Sequence, residues 1–174
     1  PNKRRSRVRL RELISSKDFQ ESKDSLLFPL GRDVAGFEIY DDLTRAPHLL
    51  VAGATGTGKT IFLNNLILSL IFRNSPQDLR FLLVDPKRVE FSVYQDLPHL
   101  LCPVIHDVQK TIAALTWITK EMERRFKVLA KLGARDIFSY NRKLPDEKIP
   151  FIILIIDELA DLMAARPREM EAGI

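Results

Sequence analysis

With a single cysteine, Cys102, among 174 residues, the sequence can form no internal disulfide. A reducing, cytoplasmic setting is the default expectation. No apolar run approaches the roughly 20 residues that cross a bilayer, and the basic N-terminus lacks the apolar segment of a secretory signal. No membrane contact is expected of this stretch of chain. Internal repeats and low-complexity blocks are missing too, and His48, His99 and His106 have no metal-ligand spacing with Cys102, so no zinc site is expected. What is present, 45% hydrophobic and 29% charged residues, suffices for one compact domain with a core.

The formal net charge of +4 suggests nucleic acid until it is located. The first eleven residues, PNKRRSRVRLR, hold six basic and no acidic side chains, leaving 21 basic against 23 acidic from Glu12 to Ile174. The basicity belongs to an arm, and a short basic arm is more often a solvated tail or linker than a specific binding element.

A weak helical pattern over Leu10 to Gln20 gives way to the loop-like Glu21–Ser25, which sets a boundary: a lead-in over residues 1–28 and a domain over 29–174. Gly31 and Gly36 flank a polar turn before a short strand at Phe37–Tyr40, and Pro47 introduces a strand over His48–Ala52. From Thr60 to Phe72 the apolar residues 62, 63, 66, 67, 70 and 71 share one helical face. Phe81–Val84 is a continuous apolar run stopped by Asp85, as in a strand buried on both faces of a parallel sheet. The longest helix, about Val108 to Leu132, has apolar residues at 112, 115, 118, 122, 126, 129 and 132, with Gly133 placed to turn left-handed after it. A shorter helix near Arg135–Asn141 and a loop at Pro145–Lys148 precede Phe151–Ile156, read as another central strand. Strands alternating with helices predict an α/β fold, a mostly parallel sheet with helices on both faces.

GATGTGKT, residues Gly53, Ala54, Thr55, Gly56, Thr57, Gly58, Lys59 and Thr60, matches GxxxxGK[ST] between a predicted strand and a predicted helix. Glycines permit backbone conformations and close approaches that a Cβ forbids, so that successive N–H groups can converge on phosphate oxygens at a helix N-terminus. Lys59 brings positive charge to the β- and γ-phosphates, and the Thr60 hydroxyl is a ligand for Mg²⁺. A second motif ends the run Phe151–Ile156 with Asp157 and Glu158, at what should be the same carboxyl edge of the sheet. Asp157 would hold the Mg²⁺ shell, and Glu158 would polarise the attacking water. The pair of motifs is the design of an NTP hydrolase using ATP and Mg²⁺.

Several further words share the order of a known family: Pro47-His48-Leu49-Leu50-Val51-Ala52-Gly53, Asp85-Pro86-Lys87-Arg88-Val89-Glu90, Leu97-Pro98-His99-Leu100-Leu101, Glu121-Met122-Glu123-Arg124-Arg125-Phe126 and Asp157-Glu158-Leu159-Ala160-Asp161-Leu162-Met163. Leu10 to Ser15 and Leu30 to Gly36 add two more. From about Leu10 to its end the chain resembles the motor domain of the FtsK/SpoIIIE DNA translocases. The resemblance implies a RecA-like P-loop core, here truncated after the Walker B strand, in a homo-oligomer that forms a hexameric ring around double-stranded DNA during division, sporulation or chromosome segregation. Family motors continue past the second acidic motif with a polar sensor, an arginine finger, DNA-facing loops and a winged-helix module, whereas this chain runs sixteen residues beyond Glu158. It is therefore expected to be a fragment of a protein anchored to the inner membrane by an N-terminal part.

Asp85, Lys87 and Glu90 are expected either to couple the nucleotide to a neighbouring subunit or to form a solvated loop whose path Pro86 fixes. Arg124 and Arg125, beside Glu121 and Glu123, are expected on a solvated or subunit-facing surface. Cys102 is expected as a small buried hydrophobe, and Trp117 and the phenylalanines as core. The leading function is an ATP-driven double-stranded DNA translocase subunit. The alternatives are a related secretion ATPase engaging protein, a small-molecule kinase and an inactive binding module. The adjacency of Asp157 and Glu158 speaks against the kinase, which must keep water from the γ-phosphate.

Overall fold

The computed structural model describes residues 7–46, 48–54 and 56–173. Pro1–Ser6 of the basic arm, Pro47, Thr55 and Ile174 lie outside them. The chain forms two compact units, Pro1–Asn74 and Ser75–Ile174.

In the first unit the weak helical pattern resolves into two short helices, α1 (Leu10–Ile14) and α2 (Lys17–Glu21). Ser16 divides them because its Oγ accepts a hydrogen bond from Phe19 N at 3.1 Å, capping α2. Leu13 and Phe19 are buried. An antiparallel hairpin follows, β1 (Leu27–Arg32) and β2 (Glu38–Asp42), with a register shift between Pro29 and Gly31. β1 carries a proline and a glycine, both strand breakers, and the irregularity accommodates them. Asp33 closes the hairpin tip: its Oδ1 accepts from Ala35 N at 2.9 Å and Phe37 N at 2.8 Å. Helix α3 (Lys59–Arg73) buries Leu63, Leu66, Ile67 and Leu70, and Phe62 meets Phe28 of β1 edge-on at 6.1 Å. At its far end Arg73 donates to the carbonyls of Phe19 and Ser22 and lies 4.7 Å over the Phe19 ring, fastening α3 to α2.

The run His48–Ala52 is not a strand, contrary to expectation. It has no ladder partner among the described residues, and Leu50 is 82% exposed. Apolar composition makes a strand worth burying, but a strand exists only where a neighbour takes its N–H and C=O groups.

The second unit is built on β3 (Leu79–Val84) and β4 (Phe151–Ile156), parallel and in register from Leu79↔Phe151 to Val84↔Ile156. Bridges at Phe81↔Leu100 and Val84↔Ile105 occupy the other edge of β3, so β3 is paired on both sides and Leu79, Phe81, Leu83 and Val84 are fully buried. β4, expected to be central, pairs with β3 alone among the described residues, and only Ile155 of it is buried. Helix α4 (Val108–Leu132) starts at Asp107, whose Oδ1 accepts from Lys110 N at 3.0 Å, and ends at Gly133 with φ 61°. α5 (Ile137–Lys143) begins with a capping box made by Asp136 and Ser139. Two further helices, α6 (Leu159–Ala165) and α7 (Pro167–Gly173), complete the unit. Val84, Ile105, Leu115, Leu162 and Met170 form one core, with Leu154 and Ile156 packed against it, so α4, α6 and α7 cover the same sheet face.

Phe19, Phe28, Phe81 and Phe91 are core, but Phe37, Phe72, Phe126 and Trp117 are exposed, which corrects the expectation that the aromatics are all core. On α4 only Thr111 and Leu115 of the 25 residues are buried, so most of the helix, Trp117 and Phe126 included, stays open to solvent.

Candidate nucleotide site

The phosphate loop lies in the first unit and is closed locally. Thr57 donates to the Ala54 carbonyl twice, from N at 3.0 Å and from Oγ1 at 2.6 Å. A Cβ on Gly53 would collide with the Thr57 side chain, while Gly56 and Gly58 have φ of 81° and 109°, which side chains disfavour. Gly58 is the N-cap of α3 and brings no side chain to it, and the first turn carries no acidic residue. The leading N–H groups and the helix dipole are thus presented to an anion at the point where Lys59 and Thr60 begin the helix.

The second unit carries the acidic motif. Asp157 N donates to the Val84 carbonyl at 3.0 Å, extending the β3–β4 ladder by one bond and leaving Asp157 only 8% exposed. Glu158 is the N-cap of α6 but makes no side-chain cap. Lys87 Nζ lies 3.9 Å from Glu158 Oε2 and 3.1 Å from Asp161 Oδ2.

Asp85 is fully buried and organises the loop after β3. Its Oδ2 accepts from Glu90 N and Phe91 N, both at 3.0 Å, and its carbonyl oxygen meets His106 Nδ1 at 2.6 Å. The other carboxylate oxygen, Oδ1, is buried with no hydrogen-bond partner among the described residues. Arg88 sits within this loop at φ 60°, an unusual conformation for a side chain of its size. The structure therefore brings Asp85, Lys87 and Glu90 into one pinned loop and carries Lys87 to Glu158.

Sequence reasoning missed His106 and Asp161 as members of this cluster, and no local signal marks either. It also misplaced Arg125. That side chain is 18% exposed, donating to Glu121 Oε1 at 2.7 Å and to the Pro150 carbonyl at 2.7 Å, so it staples α4 to the chain entering β4. A guanidinium, with five donors in a fork, can satisfy a carboxylate and a carbonyl together, which solvation alone does not require. Arg124, 57% exposed, keeps its expected surface position. Together they hold the Glu121 carboxyl down at about 2, chiefly through the Arg124 hydrogen bonds. Cys102 is half-buried rather than buried, its thiol pushed up by partial burial, and it lines a cavity of about 610 Å³ with Arg88, His106 and Trp117.

The FtsK/SpoIIIE family model matches residues 9–174. The chain belongs to the FtsK/SpoIIIE family. The DNA translocase FtsK of Clostridium tetani is 46% identical over 175 residues, covering 98% of this chain and 24% of that protein. Among solved structures, the pCW3 conjugation coupling protein TcpA, in its monomer form with ATPγS, has a TM-score of 0.75 at 28% identity over 91% of this chain and 45% of that one. The cytoplasmic domain of the Thermomonospora curvata type VII secretion ATPase EccC has a TM-score of 0.71 at 26% identity, over 95% of this chain and 21% of that one. The chain spans between 18% and 24% of the length of the curated FtsK relatives it matches. Its fold is that of an α/β, RecA-like P-loop core.

Proposed function

We propose that this chain is the nucleotide-binding core of an ATP-driven double-stranded DNA translocase that acts in chromosome segregation during division or sporulation. The observation that carries the reading is the glycine-capped N-terminus of α3, opened by Lys59 and Thr60, in a chain 46% identical to an FtsK DNA translocase. Residues 1–28 serve as the lead-in and 29–174 as the partial ATPase domain.

The side chains present fit ATP and Mg²⁺. The loop from Gly53 to Thr60 offers backbone donors where a Cβ at Gly53 would not fit, and Thr60 in the first unit and Asp157 in the second each bring an oxygen donor of the hard kind that would suit Mg²⁺. When bound, Mg²⁺ neutralises charge on the transferred phosphoryl group. Lys59 draws the β- and γ-phosphates to the helix end, Glu158 orients the attacking water and accepts its proton, and the loop carrying Asp85, Lys87 and Glu90 couples the site to its surroundings. The working form is a homo-oligomer, a hexameric ring in the whole protein, which grips the DNA phosphate backbone and is anchored to the inner membrane outside this stretch.

The test is Mg·ATP turnover of the full-length protein with and without long double-stranded DNA, with Lys59→Ala as control. Strong stimulation by DNA, lost in Lys59→Ala, is the expected result. Turnover indifferent to DNA would favour the second reading, a secretion ATPase, which the likeness to EccC supports.

A further inference from the structure

We propose that the cavity between α4 and residues 101–106 is a binding site for a small planar aromatic carboxylate. Its residues all belong to the second unit, and none of them belongs to the two nucleotide motifs.

The cavity measures about 610 Å³, within the range of sites that enclose a small molecule. Its walls include Leu82 of β3, Val104 and Ile105, all three buried, so a ligand seated there leaves water for an apolar surface. Trp117, the sole tryptophan of the sequence, lines the same space from α4 and is 45% exposed. An indole so open offers a flat face to an incoming ring.

The charges in the lining choose the rest of the ligand. Arg88 and Lys110 both face the cavity, and neither makes an ion pair among the described residues. Arg88 is held there by its backbone: at φ 60° it keeps a conformation that side chains disfavour, and the loop fixes it, because Arg88 N donates to the Asp85 carbonyl at 3.3 Å while Asp85 Oδ2 accepts from Glu90 N and Phe91 N. Asp107 is the acidic side chain of the lining, and its Oδ1 is taken by Lys110 N at 3.0 Å as the cap of α4. Two cations against one carboxylate, with His106 counted neutral, leave an excess of one positive charge. A monoanion balances that excess and a phosphate dianion overshoots it. His106 donates its Nδ1–H to the Asp85 carbonyl at 2.6 Å, so only Nε2 remains to meet a ligand. A planar ring bearing one carboxylate suits this lining: the indole takes the ring, and the guanidinium fork and the ammonium take the carboxylate.

The experiment titrates the full-length protein, saturated with ATPγS, with indole-3-acetate, its uncharged analogue indole-3-acetamide, and AMP, followed by saturation-transfer NMR. In parallel, iodoacetamide alkylation of Cys102, which lines the cavity, is timed by mass spectrometry on the peptide that carries it. Indole-3-acetate should bind with a Kd of about 1 mM or tighter, and indole-3-acetamide and AMP about 10-fold more weakly. Arg88→Gln and Lys110→Gln should each weaken indole-3-acetate about 10-fold, and Trp117→Leu about fivefold. Melting temperatures should stay near wild type, since all three side chains are exposed. Lys59→Ala should leave the affinity unchanged, and saturating indole-3-acetate should slow alkylation of Cys102.

Equal affinity for the acetate and the acetamide overturns the proposal, as does an affinity that neither Arg88→Gln nor Lys110→Gln alters. Alkylation of Cys102 at the same rate with and without bound indole-3-acetate places the ligand elsewhere and overturns it too. Tighter binding of AMP would replace the carboxylate by a phosphate and overturn the assigned class.

Discussion

The phosphate loop and the loop after β3 are both short connections rich in functional side chains, but they are held in opposite ways. The phosphate loop closes on itself: Thr57 bonds Ala54 three residues back, and its glycines supply the rest through their own φ angles. The loop from Asp85 to Phe91 is held from inside by a buried carboxylate and from outside by His106, about twenty residues further along. Geometry written into neighbouring residues can be damaged without unfolding anything, whereas geometry assembled from distant ones shares its bonds with the fold.

That contrast can be broken most sharply at Gly58. Gly58→Ala forces a Cβ into φ 109°, so ATP affinity in a fluorescence titration should fall about 100-fold or more while the melting temperature stays near wild type, because the collapse is local. At Asp85 the outcome should differ. Asp85→Ala strands the Glu90 and Phe91 N–H groups and should destabilise by about 2–3 kcal/mol in denaturant melts, with turnover falling alongside. Equal melting behaviour in the two variants would erase the distinction.

The Glu121 cluster sharpens it through pH. Its folded carboxyl titrates at about 2, below the unfolded value, so its stabilising contribution is complete above about pH 4.5 and is lost as pH falls toward 2. Glu121→Gln should lower the neutral-pH melting temperature and flatten the acid limb of the melting profile over that window. The smallest effect belongs to Gly133, whose φ of 61° ends α4: Gly133→Ala should destabilise by about 1 kcal/mol, read from urea melts.

The legible parts of the sequence follow the same division. β3 and β4 were readable from continuous apolar runs and α3 and α4 from helical apolar periods, all of them local signals, as were the phosphate loop and the left-handed turn at Gly133. β1 was obscured by Pro29 and Gly31, which look like breakers until the hairpin register absorbs them. The His48–Ala52 run read as a strand because composition cannot show whether a neighbour supplies the ladder. Arg125 looked like surface because its partner, the Pro150 carbonyl, is a backbone group with no side-chain signature. The meeting of Lys87 with Glu158 was equally silent, since about seventy residues separate them in the chain.

The same separation imposes a schedule on synthesis. β3 finds its ladder partner β4 about seventy residues downstream, so at ribosomal speeds of about 5–20 residues per second roughly 4 to 14 s pass before Leu79 can meet Phe151. Throughout that interval the most buried strand of the second unit lacks its partner on one edge. The nascent chain therefore carries a timed exposure of apolar backbone that a ribosome-bound holdase would meet, while the β1–β2 hairpin closes almost as soon as it emerges.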